Sequence, residues 1–224
     1  MSSDNTQNRI LEAAGPIFAA KGFEAATVRE ICHRARVNLA AVNYHFGSKE
    51  GLYVATVRET HPNRLERRLA PEHAPGATAA ERLCGFIGAM LSRLLEVKAT
   101  DWQWRLLFRE ILDPTPMCRE MLREHFRGGL GVLLAIIDDV VAPDTPLHRR
   151  HQIALSIVGQ CVYYRSAAKI VPLLVGEEEV AAHYNVEELT EHITRFSLAA
   201  LGLAPPVHLC NHLSRTVLCE RSSG

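Results

Sequence analysis

The chain has 224 residues, of which 47% are hydrophobic and 22% are charged, close to the averages of soluble globular proteins. That length suits one large domain or two small ones, and no run approaches the roughly 18 uninterrupted apolar residues of a membrane span. The polar first residues, MSSDNTQNRILE, lack the apolar stretch of a signal peptide. We therefore expect a cytoplasmic protein with no membrane segment.

The formal net charge is zero, but the charge is unevenly spread along the chain. Residues 1–69 hold ten Lys and Arg against seven Asp and Glu, so the N-terminal part is mildly basic. This asymmetry allows a DNA-facing N-terminal module without requiring one. The six cysteines include no CxxC pair, and in a reducing compartment we expect free thiols that are buried as small apolar side chains.

The predicted elements begin with two helices. Apolar residues at helical spacing predict the first helix from Asn8 to Lys21, with Gly22 as its C-terminal glycine. Thr27 is an N-cap residue, and Glu30 three positions later completes a capping box. The second helix begins there and should bury its apolar side chains as far as residue 35.

Two more helices follow after short turns. Asn38 can cap a short third helix from residue 39 to about residue 45, and Gly47 and Ser48 end it. Ser48 caps a fourth helix that begins at Lys49, and Pro62 should kink that helix. A Pro-, Ala- and Gly-rich loop over 71–76 then separates this N-terminal module from the rest.

The remainder of the chain also predicts helices. Thr78 and Glu81 form a capping box for a helix to about residue 98, and Asn185 with Glu188 caps the last one. The predicted spans are 78–98, 102–112, 116–141, 146–169 and 185–201, with Gly128, Gly129 and Gly131 weakening the middle of the third. No alternating pattern predicts a strand. We expect an all-α protein with an N-terminal domain over 1–69, a C-terminal helical domain over 70–204 and a flexible tail over 205–224.

The second and third helices form a helix-turn-helix, the unit that lays one helix in a DNA groove. The third helix has a small apolar tip suited to a thymine methyl group, followed by side chains that can donate to phosphates or base edges. The tip is Leu39, Ala40 and Ala41, and the donors are Asn43, Tyr44 and His45.

Other polar residues border this helix. Lys49 lies in the first turn of the fourth helix, where a cation opposes the helix dipole unless an anion such as phosphate lies nearby. Thr27 and Arg29 begin the second helix and can hold a phosphate in the same way, while Asn38 borders the third helix. The alternative is that Tyr44 is a core aromatic and Lys49 a solvated charge. Phe46 should pack inward.

Residues 8–56 resemble the DNA-binding domain of the TetR family of bacterial transcription regulators, through TVREI, VNLAAVNYHF and SKEGLY. The segments FREILDPTP (108–116) and VGQCVYYR (158–165) resemble its CecR-like subgroup. The resemblance implies a homodimer that reads a palindromic operator and a C-terminal domain that binds a small effector. It also implies that Thr27, Arg29 and Lys49 contact phosphate, that residues 39–41 contact bases, and that residues 43–45 contact backbone and bases.

One position departs from the family pattern. The turn before the third helix commonly has glycine where this chain has Arg36. If that position needs a positive φ, the turn is slightly strained. The alternative is that Arg36 helps to hold DNA.

The C-terminal helices offer a candidate dimer interface and a candidate effector pocket. Apolar faces over 146–169 and 185–201 can pair across a two-fold axis as a four-helix interface, or can simply complete the monomer core. The faces are Ile153, Leu155, Val158 and Val162, and Leu189, Ile193, Phe196 and Ala200. Large or soft side chains with two arginines would suit an aromatic or amphiphilic effector, although each could be a core residue and Arg109–Glu110 a structural ion pair. The candidates are Trp102, Trp104, Arg105, Phe108, Arg109, Met117, Met121, Phe126, Tyr163 and Tyr164.

The histidines raise the possibility of a metal site. His148 and His151 lie one turn apart, and His208, Cys210, His212 and Cys219 lie in the tail, but neither set has a full ligand shell of established spacing. We expect no metal and no cofactor. The sequence favours a repressor released by an effector that moves the fourth helix. The alternatives are a DNA-bound interaction protein without a ligand and, with least support, a metal-dependent enzyme.

Overall fold

The computed structural model describes residues 3–60, 76–95 and 101–205, which form eleven α-helices and contain no strand. The first four helices are α1 (Ser3–Ala25), α2 (Val28–Ala35), α3 (Leu39–Phe46) and α4 (Lys49–Glu59). They are followed by α5 (Ala79–Leu95), α6 (Asp101–Leu112), α7 (Arg119–Asp138) and α8 (Leu147–Ser166). The last three are α9 (Val171–Val175), α10 (Glu177–His183) and α11 (Val186–Ala200). The predicted all-α class is confirmed.

Side-chain caps begin the helices as predicted. The Ala41 amide donates to Asn38 Oδ1 at 2.9 Å, and the Gly51 amide donates to Ser48 Oγ at 3.2 Å. A reciprocal capping box opens α5, because the Glu81 amide donates to Thr78 Oγ1 at 3.2 Å and the Thr78 amide donates to Glu81 Oε2 at 2.7 Å. These bonds satisfy amides that have no partner inside the helix, so they fix where each helix begins.

The capping box predicted at Thr27 is only half formed. Thr27 Oγ1 accepts from the Glu30 amide at 3.2 Å, but the Glu30 carboxylate pairs with Lys21 Nζ at 2.7 Å instead of returning to the cap. This ion pair joins α2 to the end of α1. The prediction of a complete box was therefore wrong, because a tertiary partner with opposite charge competes for the carboxylate.

The chain divides into two compact units, Met1–Leu65 with Lys98–Arg127, and Glu66–Val97 with Gly128–Gly224. In the first unit α1 packs on α2, α4 and α6 around a core that includes Phe18, Ile31, Leu52, Tyr53 and Leu106, all fully buried. Trp102 packs against Gly15, where a β-carbon would come within 2.5 Å of the indole ring. Helix α6 is therefore a structural part of the unit that contains the helix-turn-helix.

In the second unit α5 packs on α11 and α8. The core of this unit consists of side chains from four helices, which include Leu83, Phe86, Ile87, Leu91, Leu133, Ile137, Ala154, Ile157, Cys161, Leu189, Ile193 and Leu198. An ion pair joins Arg82 to Asp139, and Arg150 Nη1 lies 2.9 Å from Asp138 Oδ1. These pairs hold α5 and α8 against the end of α7.

Two expectations about the second half need correction. The glycines do not interrupt α7, which is continuous from Arg119 to Asp138, although the division between the units falls between Arg127 and Gly128. The chain after α8 is also helical, because Pro172 lies in the first turn of α9 and so starts a helix there. The predicted kink at Pro62, the domain boundary at residue 69 and the tail after residue 205 lie outside the described residues.

Candidate nucleic-acid interface

The exposed side of α3 and its flanking turns form the candidate interface. Among the described residues of α3, only Val42 is fully buried, while Ala41 and Phe46 pack partly against the core of the first unit. The inward position predicted for Phe46 is confirmed. The helix is thus attached by a narrow apolar edge, and most of its surface is free for a ligand.

Seven of the ten predicted contact residues are exposed. Leu39 is 55% exposed and Tyr44 81% exposed, so Tyr44 is not a core aromatic. The exposed residues are Thr27, Arg29, Asn38, Leu39, Ala40, Asn43 and Tyr44, and the half-buried residues are Ala41, His45 and Lys49. The Tyr44 ring meets the His45 imidazole edge to face at 5.1 Å between centroids. An exposed aromatic with polar neighbours on a thin helix suits contact with a groove.

Lys49 is held by the end of α1. Its Nζ donates to the Glu24 carbonyl at 3.1 Å and lies 4.5 Å from the centroid of the Phe23 ring. These contacts explain how a cation is accommodated in the first turn of α4, against the helix dipole. An ammonium group has three donors, so two remain for an anion. Glu24 could not be predicted as the partner of Lys49 from local spacing, because the contact spans 25 residues.

Thr27 and Arg29 lie at a surface cleft of about 540 Å³ that α1 and α2 form. Two further basic side chains on α2, His33 and Arg34, border the same cleft, and both are exposed. Neither residue is among the contacts predicted from the sequence. Glu30, whose carboxylate pairs with Lys21, borders the cleft as well.

The turn between α2 and α3 is built on Arg36, whose backbone is left-handed with φ 53° and ψ 49°. Arg36 is the only non-glycine residue with a positive φ in the described part of the chain. The Val37 amide donates to the Cys32 carbonyl at 3.0 Å, and the Arg36 amide donates to the His33 carbonyl at 3.3 Å. This glycine-type helix ending confirms the positive φ, which costs about 1 kcal/mol for a residue with a β-carbon.

A buried polar cluster joins α4 to α6 inside the first unit. The Tyr53 hydroxyl donates to Glu110 Oε1 at 2.6 Å, and Glu110 Oε2 accepts from the Thr115 amide at 3.0 Å and from the Thr115 hydroxyl at 3.1 Å. Tyr53 and Glu110 are both fully buried. Burial, and then the neighbouring carboxylate, raise the pKa of Tyr53 far above its ordinary value, so its hydroxyl remains a donor.

The structure does not support the ion pair considered between Arg109 and Glu110. The Glu110 carboxylate is directed to Tyr53 and Thr115, while the Arg109 guanidinium lies over Gly22. A β-carbon at Gly22 would come within 2.6 Å of that guanidinium. Neighbouring residues on a helix point in different directions, which is why the two side chains separate.

The ten predicted effector residues divide between the two units. Trp102, Met117 and Met121 pack against the core of the first unit, so these three serve as packing residues there. The Trp104 and Phe108 rings stack at 5.4 Å between centroids. Tyr163 and Tyr164 lie in the second unit, where Tyr164 meets Tyr184 at 5.9 Å. Arg105 is exposed in α6.

Some residues predicted for the dimer interface are buried in the chain's own core, and others are exposed. Leu189 and Ile193 are 4% and 0% exposed and complete the core of the second unit, as the alternative interpretation stated. Leu155 and Phe196 are 60% and 50% exposed, and Ala200 is exposed as well. An apolar surface on α8 and α11 therefore remains uncovered in the single chain.

The candidate metal residues do not form a cluster where they can be described. His148 is exposed and His151 is half-buried on α8. Among the described residues there is no group of three or more His, Cys, Asp or Glu side chains that could hold a metal ion. The residues His208, Cys210, His212 and Cys219 lie outside the described part of the chain. No described helix has the length and apolarity needed to cross a bilayer.

The fold and this surface define a helix-turn-helix regulator, and comparison with known families gives the same class. Residues 10–56 match the family model described as "Bacterial regulatory proteins, tetR family". Residues 79–201 match the model described as "HTH-type transcriptional dual regulator CecR, C-terminal domain". The chain belongs to the TetR family of bacterial transcription regulators, with a C-terminal domain of the CecR type.

Particular relatives are similar to the chain over different lengths. The transcriptional repressor AcnR of Corynebacterium glutamicum is 42% identical over 122 residues, which cover 54% of this chain and 58% of AcnR. The transcriptional dual regulator CecR of Shigella flexneri is 25% identical over 191 residues, which cover 79% of this chain and 82% of CecR. The chain spans between 41% and 64% of the length of several other curated relatives.

A solved structure shares the fold. The transcriptional regulator FadR of Bacillus subtilis, in complex with stearoyl-CoA, has a TM-score of 0.59 and 18% identity. The alignment covers 86% of this chain and 97% of that structure. All three proteins are named as transcription regulators.

Proposed function

We propose that this chain is a ligand-responsive repressor that binds a palindromic operator as a homodimer. The observation that carries the proposal is the exposed side of α3, with Leu39 and Tyr44 outward on a helix whose start is fixed by Asn38. The ten contact residues are those that the sequence analysis named. Leu39, Ala40 and Ala41 would meet bases, Asn43, Tyr44 and His45 would meet bases and phosphates, and Thr27, Arg29, Asn38 and Lys49 would position the helix on the phosphate backbone.

The test is operator binding by two substitutions on the exposed surface. A duplex selected from random-sequence DNA by the wild-type protein supplies the probe and also reports half-site spacing and symmetry. Tyr44→Ala should weaken binding to that duplex about tenfold or more. Tyr44→Phe keeps the ring and removes the hydroxyl, so it distinguishes the contributions of the two groups to affinity. Lys49→Met should weaken binding. It should also reduce the slope of log affinity against log salt concentration by about the amount that one phosphate contact contributes. Retention of full affinity by both Tyr44→Ala and Lys49→Met would refute the proposed interface.

Lys21→Met is the matched control for Lys49→Met. Lys21 is an exposed lysine of the same unit, but its ammonium pairs with Glu30. An exposed ion pair contributes little to stability, so this variant should stay folded and keep its operator affinity. An equal loss in both lysine variants would indicate a general charge effect.

The homodimer is supported by the uncovered apolar surface on α8 and α11. Leu155 and Phe196 are exposed large hydrophobic residues on those helices, and a two-fold pairing of the same surface would bury both. Leu155→Glu and Phe196→Glu should give a monomer by light scattering at micromolar concentration. Leu173→Glu on α9 is the matched control, because Leu173 is 80% exposed outside the proposed interface. A wild-type chain that is monomeric would refute this part.

The effector proposal is supported by the CecR-type domain and by the ligand bound in the FadR structure. We expect an aromatic or amphiphilic molecule, and Tyr163 and Tyr164 are the predicted contacts that lie in the second unit. Stearoyl-CoA and a panel of aromatic carboxylates can be screened for a rise in Tm, followed by release of the operator duplex. Release in wild type and its loss in Tyr164→Ala would support the proposal. A ligand that raises Tm without releasing DNA would contradict it.

A further inference from the structure

The start of α1 supplies a contact that neither the interface nor the core explains. Arg9 Nη2 donates to the Ala35 carbonyl at 2.7 Å and to the Arg36 carbonyl at 3.3 Å. Both carbonyls lie at the end of α2, where the helix leaves its last carbonyls without intrahelical partners. A cation there also complements the negative end of the helix dipole.

One of the two carbonyls belongs to Arg36, whose backbone conformation is strained. Arg36 adopts the left-handed conformation that glycine usually takes, and its β-carbon makes that conformation less favourable. The turn amides of Arg36 and Val37 bond back to His33 and Cys32. The guanidinium of Arg9 donates to the carbonyls of Ala35 and Arg36, so the turn is held from both sides.

The direction of α3 depends strongly on this turn. Val42 is the only completely buried side chain among the described residues of the helix, and α3 begins directly after residues 36–38. A helix with so few core anchors takes its orientation from its ends. The later end is fixed by Gly47, whose amide donates to the Asn43 carbonyl at 2.9 Å. The earlier end is fixed by the turn and by Asn38.

We propose that Arg9 is a positioning residue for DNA recognition, which stabilises the left-handed turn at Arg36 and thereby sets the angle of α3. This inference rests on the proposed function, because it assumes that α3 reads the operator. It explains how a chain without glycine at this turn keeps the geometry of the helix-turn-helix. Arg9 acts through the backbone of the turn and does not itself contact DNA.

The rival role for Arg9 is a phosphate contact. Arg9 shares a surface cleft with Arg34 and Arg36, and Glu12 lies there as the acidic neighbour. Its position in this basic group would suit an anion. The two roles differ in one respect, because a phosphate contact does not depend on the conformation of residue 36, whereas a turn contact does.

The experiment combines Arg9→Met with Arg36→Gly. Methionine keeps most of the apolar stem and removes the guanidinium, and glycine removes the strain at residue 36. Arg9→Met should weaken binding to the selected duplex about tenfold, with little change on random DNA, so that the ratio of specific to non-specific affinity falls. Adding Arg36→Gly should restore most of that ratio. Arg9→Lys should lie between wild type and Arg9→Met.

Two results would overturn the positioning role. One is a loss in Arg9→Met that Arg36→Gly does not restore and that lowers the salt dependence by about one contact, as expected for a phosphate ligand. The other is an unchanged ratio of specific to non-specific affinity. Arg58→Met, at an exposed position of α4, controls for the loss of one positive charge.

A measurement without DNA separates this inference from the proposed function. Hydrogen exchange of the backbone amides over residues 36–42 should accelerate in Arg9→Met and return toward wild type in the double variant. If the wild-type chain selects no duplex, the proposed function fails, while this exchange pattern still tests the turn. Unchanged exchange in Arg9→Met would overturn the inference whatever the DNA result.

Discussion

Tyr53 and Glu110 form a buried hydrogen bond of 2.6 Å between residues that are 57 positions apart. Tyr53 lies on α4, the helix that follows α3, and its ring meets Phe18 and Phe23 edge to face at 4.8 and 5.2 Å. Glu110 lies on α6, within the residues that match the CecR-type domain. A segment of the second family match therefore completes the core of the helix-turn-helix unit.

Removal of the Tyr53 hydroxyl should reveal the strength of this link. Tyr53→Phe leaves Glu110 Oε1 buried without its donor, and we expect the free energy of unfolding to fall by about 1–3 kcal/mol. Glu110→Gln should be destabilising as well, because an amide has one acceptor oxygen where the carboxylate uses both, and the two effects should not add, since both variants alter the same cluster of Tyr53, Glu110 and Thr115. Urea denaturation of the single and double variants measures the coupling. Tyr44→Phe is the control, because Tyr44 is exposed, and an equal loss there would contradict the assignment.

The buried thiols predict a loss of stability at alkaline pH. Burial raises the pKa of Cys161 from 9.0 to about 12, and burial also raises the pKa of Cys118 to about 11. The unfolded chain therefore releases these protons at lower pH than the native protein. Stability is intact below about pH 9 and falls as pH rises toward the native values, by about 1.4 kcal/mol per pH unit for each thiol.

Cys161→Ala isolates one of these contributions. Between pH 9 and 11 its unfolding free energy should fall less steeply than that of wild type, by about 1.4 kcal/mol per pH unit. Each protein's value at pH 7 serves as its own reference, which removes the loss of packing from the comparison. Parallel curves for the two proteins would show that Cys161 does not titrate as its burial implies.

Gly22 should tolerate no side chain. Its backbone has φ 74° and ψ −179°, a region that essentially only glycine occupies, and an added β-carbon would also meet Arg109. Gly22→Ala should lower stability by about 1–3 kcal/mol. Because the backbone strain at residue 22 remains, adding Arg109→Ala should recover only the steric part of the loss.

Gly131 provides the matched control for Gly22. It is a glycine within α7, and an added β-carbon would meet no atom within 4 Å among the described residues. Gly131→Ala should raise stability by about 0.5–1 kcal/mol, since alanine favours a helix interior. A similar sign for both substitutions in thermal denaturation would contradict the role given to Gly22.

Two hydroxyls on α11 should be dispensable for stability. Thr194 Oγ1 and Ser197 Oγ are buried and have no hydrogen-bond partner among the described residues. Thr194→Val should leave the ligand-free protein unchanged or stabilise it by about 1 kcal/mol, because a buried unpaired hydroxyl is unfavourable. Thr190→Val is the control. It loses the bond from Thr190 Oγ1 to the Val186 carbonyl at 2.6 Å, and should be destabilised by about 1 kcal/mol.

Local sequence patterns predicted the parts of the fold that depend on neighbours in the chain. The caps at Asn38, Ser48, Thr78 and Asn185 are formed as expected, because a side chain and an amide three residues away suffice to make them. The positive φ considered for Arg36 is also present. The ten interface residues stay a prediction, supported by the exposure of seven of them.

Contacts between distant residues could not be predicted in this way. The Glu30 carboxylate pairs with Lys21 instead of completing its capping box. Lys49 donates to the Glu24 carbonyl, and Arg9 donates to a carbonyl at the end of α2. None of these partners follows from sequence spacing. The packing role of the large side chains of α6 could not be predicted from spacing either. Trp102 at helical spacing fits a pocket or a core equally well, and only the packing against Gly15 decides.

The place of α6 in the first unit has a consequence for recombination among regulators of this kind. A single crossover within residues 61–75 would take Tyr53 from one parent and Glu110 from the other, although both belong to one compact unit. Exchange of the whole first unit therefore requires three crossovers, near residues 65, 97 and 127, with 98–127 inherited alongside the N-terminal residues. We expect one-crossover hybrids to misfold more often than three-crossover hybrids made from the same parents.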